Sequence, residues 1–207
     1  MKAQSGEKAP AERARLFQGK EAWAQWLEKN HHRSEGLWLR LAKKGSGLKS
    51  VSYHEALEIA LCYGWIDGQK KAESDQAWLQ RFLPRSEKSI WSKINRQKAL
   101  LLIAQGRMKA AGLEAINAAK KNGNWESAYD SPRGAGVPED LQAALNANPA
   151  AREFFLSLDR ANRYAVLFRI QTVKKAATRA AKIRQFIEML ERNKRIHEPR
   201  KARLSAE

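Results

Sequence analysis

Cysteine is almost absent. Cys62 is the single one in 207 residues, which excludes an internal disulfide and fits a reducing compartment. Histidine is scarce as well. His31 and His32 are adjacent and diverge on a helix, while His54 and His197 lack carboxylate or thiolate companions at ligand spacing, so neither a metal site nor a cofactor is expected. No apolar run approaches the roughly 20 residues that span a bilayer, so no transmembrane segment is expected. The stretch Met1 to Lys20 mixes Glu7 and Glu12 with Lys2, Lys8, Arg13 and Arg15, without the continuous apolar segment of a secretory leader. The expected location is cytoplasmic. There is no zinc finger, no Walker pattern and no strand-borne aromatic pair of the RNA-recognition kind.

Negative charge is also short. Lys+Arg total 39 against 22 Asp+Glu, a formal net charge of +17. Such a field draws in anionic partners and speeds their encounter at low salt. Two kinds of partner fit: nucleic acid or another polyanion held non-specifically, and a small anionic ligand. Cys62 is no nucleophile by this reading, because His54 is eight residues away on the same predicted helix, about 12 Å along the axis at 1.5 Å per residue. Gly45-Ser46-Gly47 among Lys43, Lys44 and Lys49 reads as a flexible basic turn.

Hydrophobic residues make up 43%, and seven tryptophans add large burial area, enough for a sizeable core. A helix is predicted from Lys20, with Trp23, Trp26 and Leu27 on one face and Asn30 as its stop. Leu37, Leu39 and Leu41 alternate as in a strand. Ser52-Tyr53-His54-Glu55 matches a capping box ahead of an apolar helix running to Tyr63. Ile66–Ala72 and Ala77–Leu83 read as two antiparallel strands. Ser89 is expected to cap a helix carrying Trp91, Ile94, Leu101 and Leu102, closed by Gly106. After another helix with Leu113 and Ile116, the Pro/Gly-rich stretch 131–138 reads as a linker. Four helices are expected beyond it, starting at Pro138, Asn148, Asp159 and about Ala176. The last places Ala176, Ala180, Ile183, Ile187 and Leu190 on one stripe.

The densest local signal is Leu61 to Lys71, where Cys62, Tyr63, Trp65, Asp67, Gln69, Lys70 and Lys71 crowd around Gly64 and Gly68. The glycines imply a sharp helix exit followed by a bend or bulge. A candidate anion pocket follows at this corner, formed by Trp65, Asp67, Gln69, Lys70, Arg81 and Arg85. A second candidate is a basic face on the last two helices, formed by Arg163, Lys174, Lys175, Arg179, Lys182 and Arg184. Phosphate contacts from such a face are sequence-independent and steeply salt-dependent. Tyr164 and Phe168 are expected in the core.

Several blocks in fixed order resemble the YdeI/OmpD-associated family, also described as bacteriocin-protection proteins. They are Trp38-Leu39 with Lys43-Lys44, Tyr53 with Glu55-Ala56-Leu57, Leu61 through Lys71, Arg81 through Arg85, Trp91 through Asn95, and Gly106-Arg107-Met108 with Gly112. Further on come Asn162-Arg163-Tyr164, Lys174-Lys175, Thr178-Arg179 and Ile183. Ala176 departs from the proline that members often carry. The resemblance runs from about Phe17 to Leu190. It implies a role in stress or antimicrobial-peptide protection and carries over no catalytic residue.

The fold class expected is α+β: an N-terminal module with a small antiparallel sheet and packed helices, then an all-helical C-terminal module. Residues 1–18 form a mobile arm, 19–131 the α+β module, 132–192 the helical module and 193–207 a basic tail. A non-catalytic basic binding protein is the leading expectation. An enzyme or small-molecule binder using the Asp67/Trp65 corner is the alternative.

Overall fold

A computed structural model describes residues 14–198. Most of the expected arm (1–13) and the end of the expected tail (199–207) lie outside the described residues. Among the described residues two compact units are present, one of 14–91 with 95–126, the other of 92–94 with 127–198.

The first unit builds on a four-stranded mixed sheet of order β1-β2-β4-β3. Its strands are β1 (Arg15–Leu16), β2 (Leu37–Ala42), β3 (Trp65–Ala72) and β4 (Ala77–Pro84). The β2-β4-β3 part is antiparallel as expected, and β1 adds a parallel edge, pairing Arg15 with Leu39. Two residues carry too little periodicity to announce a strand, which is why the sequence places them in the arm.

Helices α1 (Lys20–Asn30) and α2 (Tyr53–Cys62) form where the apolar spacing put them. The capping box at α2 is complete: Ser52 Oγ accepts from Glu55 N, and Ser52 N donates to the Glu55 carboxylate. Trp23 is fully buried, 5.8 Å from Phe82 and stacked on Trp26 at 5.4 Å. Its indole N–H donates to Ala56 O at 3.1 Å, which satisfies the polar atom that burial would otherwise penalise. Each such aromatic contact adds about 0.5–1.5 kcal/mol beyond area burial.

From Asn95 on, α3 (Lys93–Ala104) belongs to this unit, as does α4 (Ala110–Lys121). Ser89 does not cap α3, contrary to expectation. Its hydroxyl accepts from Ser86 N in a tight turn, and Trp91 is buried 4.8 Å from Trp125, so the chain is pinned before the helix starts.

The second unit is helical: α5 (Glu139–Asn146), α6 (Pro149–Ser157), α7 (Arg160–Gln171) and α8 (Ala176–Glu191). Asn148 and Asp159 cap α6 and α7 through their side chains. Leu141, Leu145, Phe155, Val166, Ile170, Ile183, Phe186 and Leu190 form its core. On α8 the buried stripe is Ile183, Phe186 and Leu190 with Ile187 beside it, while Ala176 and Ala180 are exposed. A methyl group gains too little from burial to hold a helix's first two turns down.

Gly64 turns α2 into β3 with φ +72°, and a Cβ there would stand 2.7 Å from Ala111 O on α4. Gly64→Ala is expected to cost about 2–4 kcal/mol, joining left-handed strain to overpacking. Gly45 has φ +80° and nothing within 4 Å of a Cβ, so Gly45→Ala should cost only about 1–2 kcal/mol. Urea unfolding midpoints compare the two, and equal losses would remove the α4 contact as the cause.

Candidate functional site

A hollow of about 370 Å³ opens beside Trp65 in the first unit. Its walls come from the α1 end (His31, His32), the α2–β3 turn (Tyr63, Gly64, Trp65), the segment after β4 (Arg85, Ser86, Glu87, Ser89, Trp91) and α4, which brings Glu114. Alanines 111, 115 and 118 of α4 face it, and their small side chains leave the space open.

Arg85 is the charged group best placed to act. Its guanidinium carbon lies 3.6 Å over the Trp91 ring, and Nη1 donates to Ile90 O at 3.3 Å. Stacking of this kind holds a guanidinium flat and presents its donors in one plane, the geometry that matches carboxylate and phosphate. Arg85 N donates to Gly64 O at 2.9 Å, tying the segment after β4 to the glycine turn. Trp65 is buried, and its indole donates to His31 O at 3.3 Å. His31 Nδ1 lies 2.9 Å from Leu27 O and donates to it.

Tyr63 closes the α2 side. Burial pushes its phenol well above the usual tyrosine range, and its hydrogen bond to Glu28 Oε2 at 2.6 Å adds to the rise. The same hydrogen bond holds the Glu28 carboxyl below its usual value.

Of the six residues of the candidate anion pocket, the structure brings Trp65 and Arg85 to this hollow. Asp67 lies elsewhere, with Oδ2 accepting from the Tyr53 hydroxyl at 2.7 Å. Gln69 and Lys70 are exposed at a bulge between Asp67 and Lys70. That bulge is held by buried Gln80, whose Nε2 donates to Gly68 O and Gln69 O at 3.0 and 3.2 Å. Arg81 pairs in register with Trp38, 5.9 Å from its ring, on the strand face opposite to Phe82. Sequence reasoning missed His31, His32 and the α4 alanines. The recurrence of alanine at 111, 115 and 118, one helical face, was the available signal.

The candidate basic face divides too. Arg179 makes a bidentate pair with Asp140, at 2.6 and 2.9 Å, and donates to Ile170 O, so it fastens α5, α7 and α8 together. Arg163 Nη2 donates to Leu156 O and Leu158 O at the end of α6. Lys182 reaches Gln185, while Lys174, Lys175 and Arg184 are exposed.

A second hollow in the first unit, about 560 Å³, contains Cys62, whose thiol is pushed up by burial, among charges that pair with one another, such as Glu58 with Arg107 at 3.3 Å. A buried thiol held in its protonated form is a poor nucleophile. Among the described residues no cluster of three His, Cys, Asp or Glu side chains is arranged to hold a metal ion, and no helix is long and apolar enough to cross a membrane.

These features define a two-unit α+β chain with a guanidinium-walled hollow in its first unit. Comparison with protein families matches residues 135–193 to the family described as Bacteriocin-protection, YdeI or OmpD-Associated. That match covers 59 of the 207 residues, so the likeness to YdeI/OmpD-associated proteins belongs to the C-terminal helical region. Residues 15–115 match a separate description, a domain of unknown function (DUF8412), which covers the blocks that surround the hollow. No curated protein and no solved structure matches the chain.

Tyr63 yields a pH prediction. A phenol whose folded pKa is raised contributes stability in full below the unfolded value of about 10 and loses it as pH rises beyond that value. Between neutral pH and about pH 11, Tyr63→Phe should therefore lose less stability than the native protein. Tyr164, pushed up to about 12 by burial, is common to both and cancels. Parallel slopes in denaturant midpoints would show that Tyr63 is not the titrating group.

Proposed function

We propose that this protein is a non-catalytic, cytoplasmic binding protein whose first unit takes a small ligand with an anionic group and a flat apolar body. The observation that carries this reading is the Arg85 guanidinium stacked 3.6 Å over Trp91 at the wall of the hollow. A carboxylate or phosphate would meet the guanidinium in plane, and the ligand body would lie along Trp65, Trp91 and the α4 alanines. The volume of about 370 Å³ falls at the lower end of the range for small-molecule sites. The reading stays with binding because it rests on Arg85 stacked over Trp91 beside the α4 alanines; Glu87 and Glu114 on the same lining would favour a ligand with one anionic group over a polyanion. We also propose a stress or antimicrobial-peptide protection role, supported by the words bacteriocin-protection in the description that residues 135–193 match.

A second reading, favoured by the net charge of +17 and by exposed Lys174, Lys175 and Arg184, is non-specific binding of nucleic acid or another polyanion. The two separate by salt. Benzoate and inorganic phosphate serve as probes in thermal denaturation at low and at physiological salt. Benzoate should raise the melting temperature at both, with Arg85→Gln weakening the effect about tenfold in concentration and Ala115→Leu, which fills the hollow, abolishing it. Failure of benzoate to stabilise, together with retention on heparin that collapses with modest salt and with charge reversal at Lys174, Lys175 and Arg184, would replace the first reading with the second.

A further inference from the structure

Tyr164 and Phe168, expected in the core, are only half-buried. They line an open hollow of about 530 Å³ in the second unit, with Ala161 and Ala165 beside them, Pro132 on one side and His197 on the other. Arg160 and Arg169 stand at its margins. All the α7 members fall at positions i, i+1, i+4, i+5, i+8 and i+9 from Arg160, which is one face of a helix. The result is a groove along α7 with an apolar floor and a guanidinium toward each end.

We propose that this groove docks an acidic amphipathic helix from a protein partner. Three observations carry it. The first is rigidity. The Tyr164 hydroxyl donates to Asp130 O at 2.9 Å, and Phe168 meets Tyr129 edge-on at 4.9 Å. Buried Asn162 exchanges two hydrogen bonds with the backbone of His197, at 2.8 and 3.0 Å, fixing that side of the groove. Walls already fixed lose little entropy when a ligand enters.

The second is charge. Arg160 and Arg169 are exposed, Arg169 with Nη1 donating to Ala165 O at 2.9 Å and its other donors left for a ligand, and the nearby Asp159 carboxylate is committed to Asn162 as the helix cap. The groove's margin therefore complements acidic side chains flanking an apolar face. The third is spacing. The two arginines are nine residues apart on one helix, about 13 Å along its axis at 1.5 Å per residue. A single-headed amphiphile reaches one of them. A helix of the partner, with leucine-type anchors at i, i+4 and i+7 and carboxylates on either side, reaches both. This site is independent of the hollow beside Trp65, and neither stands or falls with the other.

The test uses the full chain and a fluorescein-labelled synthetic peptide of four helical turns, with leucines at i, i+4 and i+7 among glutamates. A scrambled peptide of the same composition is the control. Fluorescence anisotropy should show the amphipathic peptide binding at least about tenfold more tightly than the scrambled one. Ala161→Trp, at an exposed helix position, fills the groove and should weaken binding by about tenfold or more, and so should Arg160→Glu paired with Arg169→Glu. Circular dichroism and melting temperature confirm that both variants are folded. Equal binding of the scrambled peptide would assign the effect to bulk charge and overturn the proposal. Unchanged binding by both variants, or displacement of the peptide by decanoate at the peptide's own dissociation constant, would overturn it too. Absence of peptide binding in a dimer that Ala161→Trp dissociates would give the groove to a second copy of the chain.

Discussion

The close approach of α4 to the Gly64 turn is the contact on which the first unit's site rests. With φ at +72° and no side chain, Gly64 lets α2 stop and β3 start with two residues between them, while Ala111 O stands where a Cβ could not fit. The same residue's carbonyl accepts from Arg85 N. One backbone position thus sets the separation of three elements: the turn carrying Tyr63 and Trp65, the helix carrying the small wall, and the segment carrying Arg85. Gly112 repeats the constraint from the other side, since a Cβ there would collide with Cys62 O. Two glycines at one crossing bring backbones closer than any side chain permits, and the hollow is the space left where that crossing opens.

Positive charge in this chain is divided between fastening and display. Arg40 reaches Glu73 at 2.7 Å, Arg107 reaches Glu58, Lys93 reaches Asp130 and Arg179 reaches Asp140. The carboxyls of Glu73 and Asp140 are held below their usual range, chiefly by hydrogen bonds from Arg40 and Arg179. Lowered carboxyl values contribute stability that is present above the unfolded range of about 4 and lost as pH falls through the folded values. These pairs are partly exposed, so each one contributes modestly. The excess of 17 cations over carboxylates means that acid partners run out first, and cations such as Arg160, Lys175 and Arg184 stay at the surface.

Much of the fold was legible because its signals are local. Trp23 and Leu27 mark α1, Ser52 and Glu55 mark the start of α2, and Asn148 and Asp159 mark α6 and α7. What escaped depends on distant chain. Strand β1 exists because β2 offers it a parallel edge, and Ser89 is drawn into a turn because Trp91 is buried against Trp125. Gly68 correctly announced a bulge, but the group that holds it, Gln80, lies on the neighbouring strand with no local sign of its role. The candidate pocket was half legible for the same reason. Trp65 was read from its glycine-rich surroundings, whereas the residues that complete the hollow arrive from the α1 end and from α4. Alternation along β3 and β4 decided the rest, sending Arg81 to the strand face that does not carry Phe82.

Net charge and shaped sites act at different ranges, which is why a strongly basic surface does not by itself describe what such a chain binds. The field of 17 excess cations reaches about a Debye length, roughly 8 Å at physiological salt, and raises encounter rates with any anion. Selectivity needs contacts that survive screening. In the proposed reading the stacked guanidinium of Arg85 is one, because it would meet a ligand at contact distance beside Trp65 and the α4 alanines. The groove along α7 supplies another, because its aromatic floor is indifferent to salt while its arginines are not. A partner that met only the surface charge would lose its hold as salt rose, whereas a partner that also filled either hollow would keep the apolar part of its binding free energy. The order in which salt strips these contributions therefore reports which layer of the molecule a given ligand has reached.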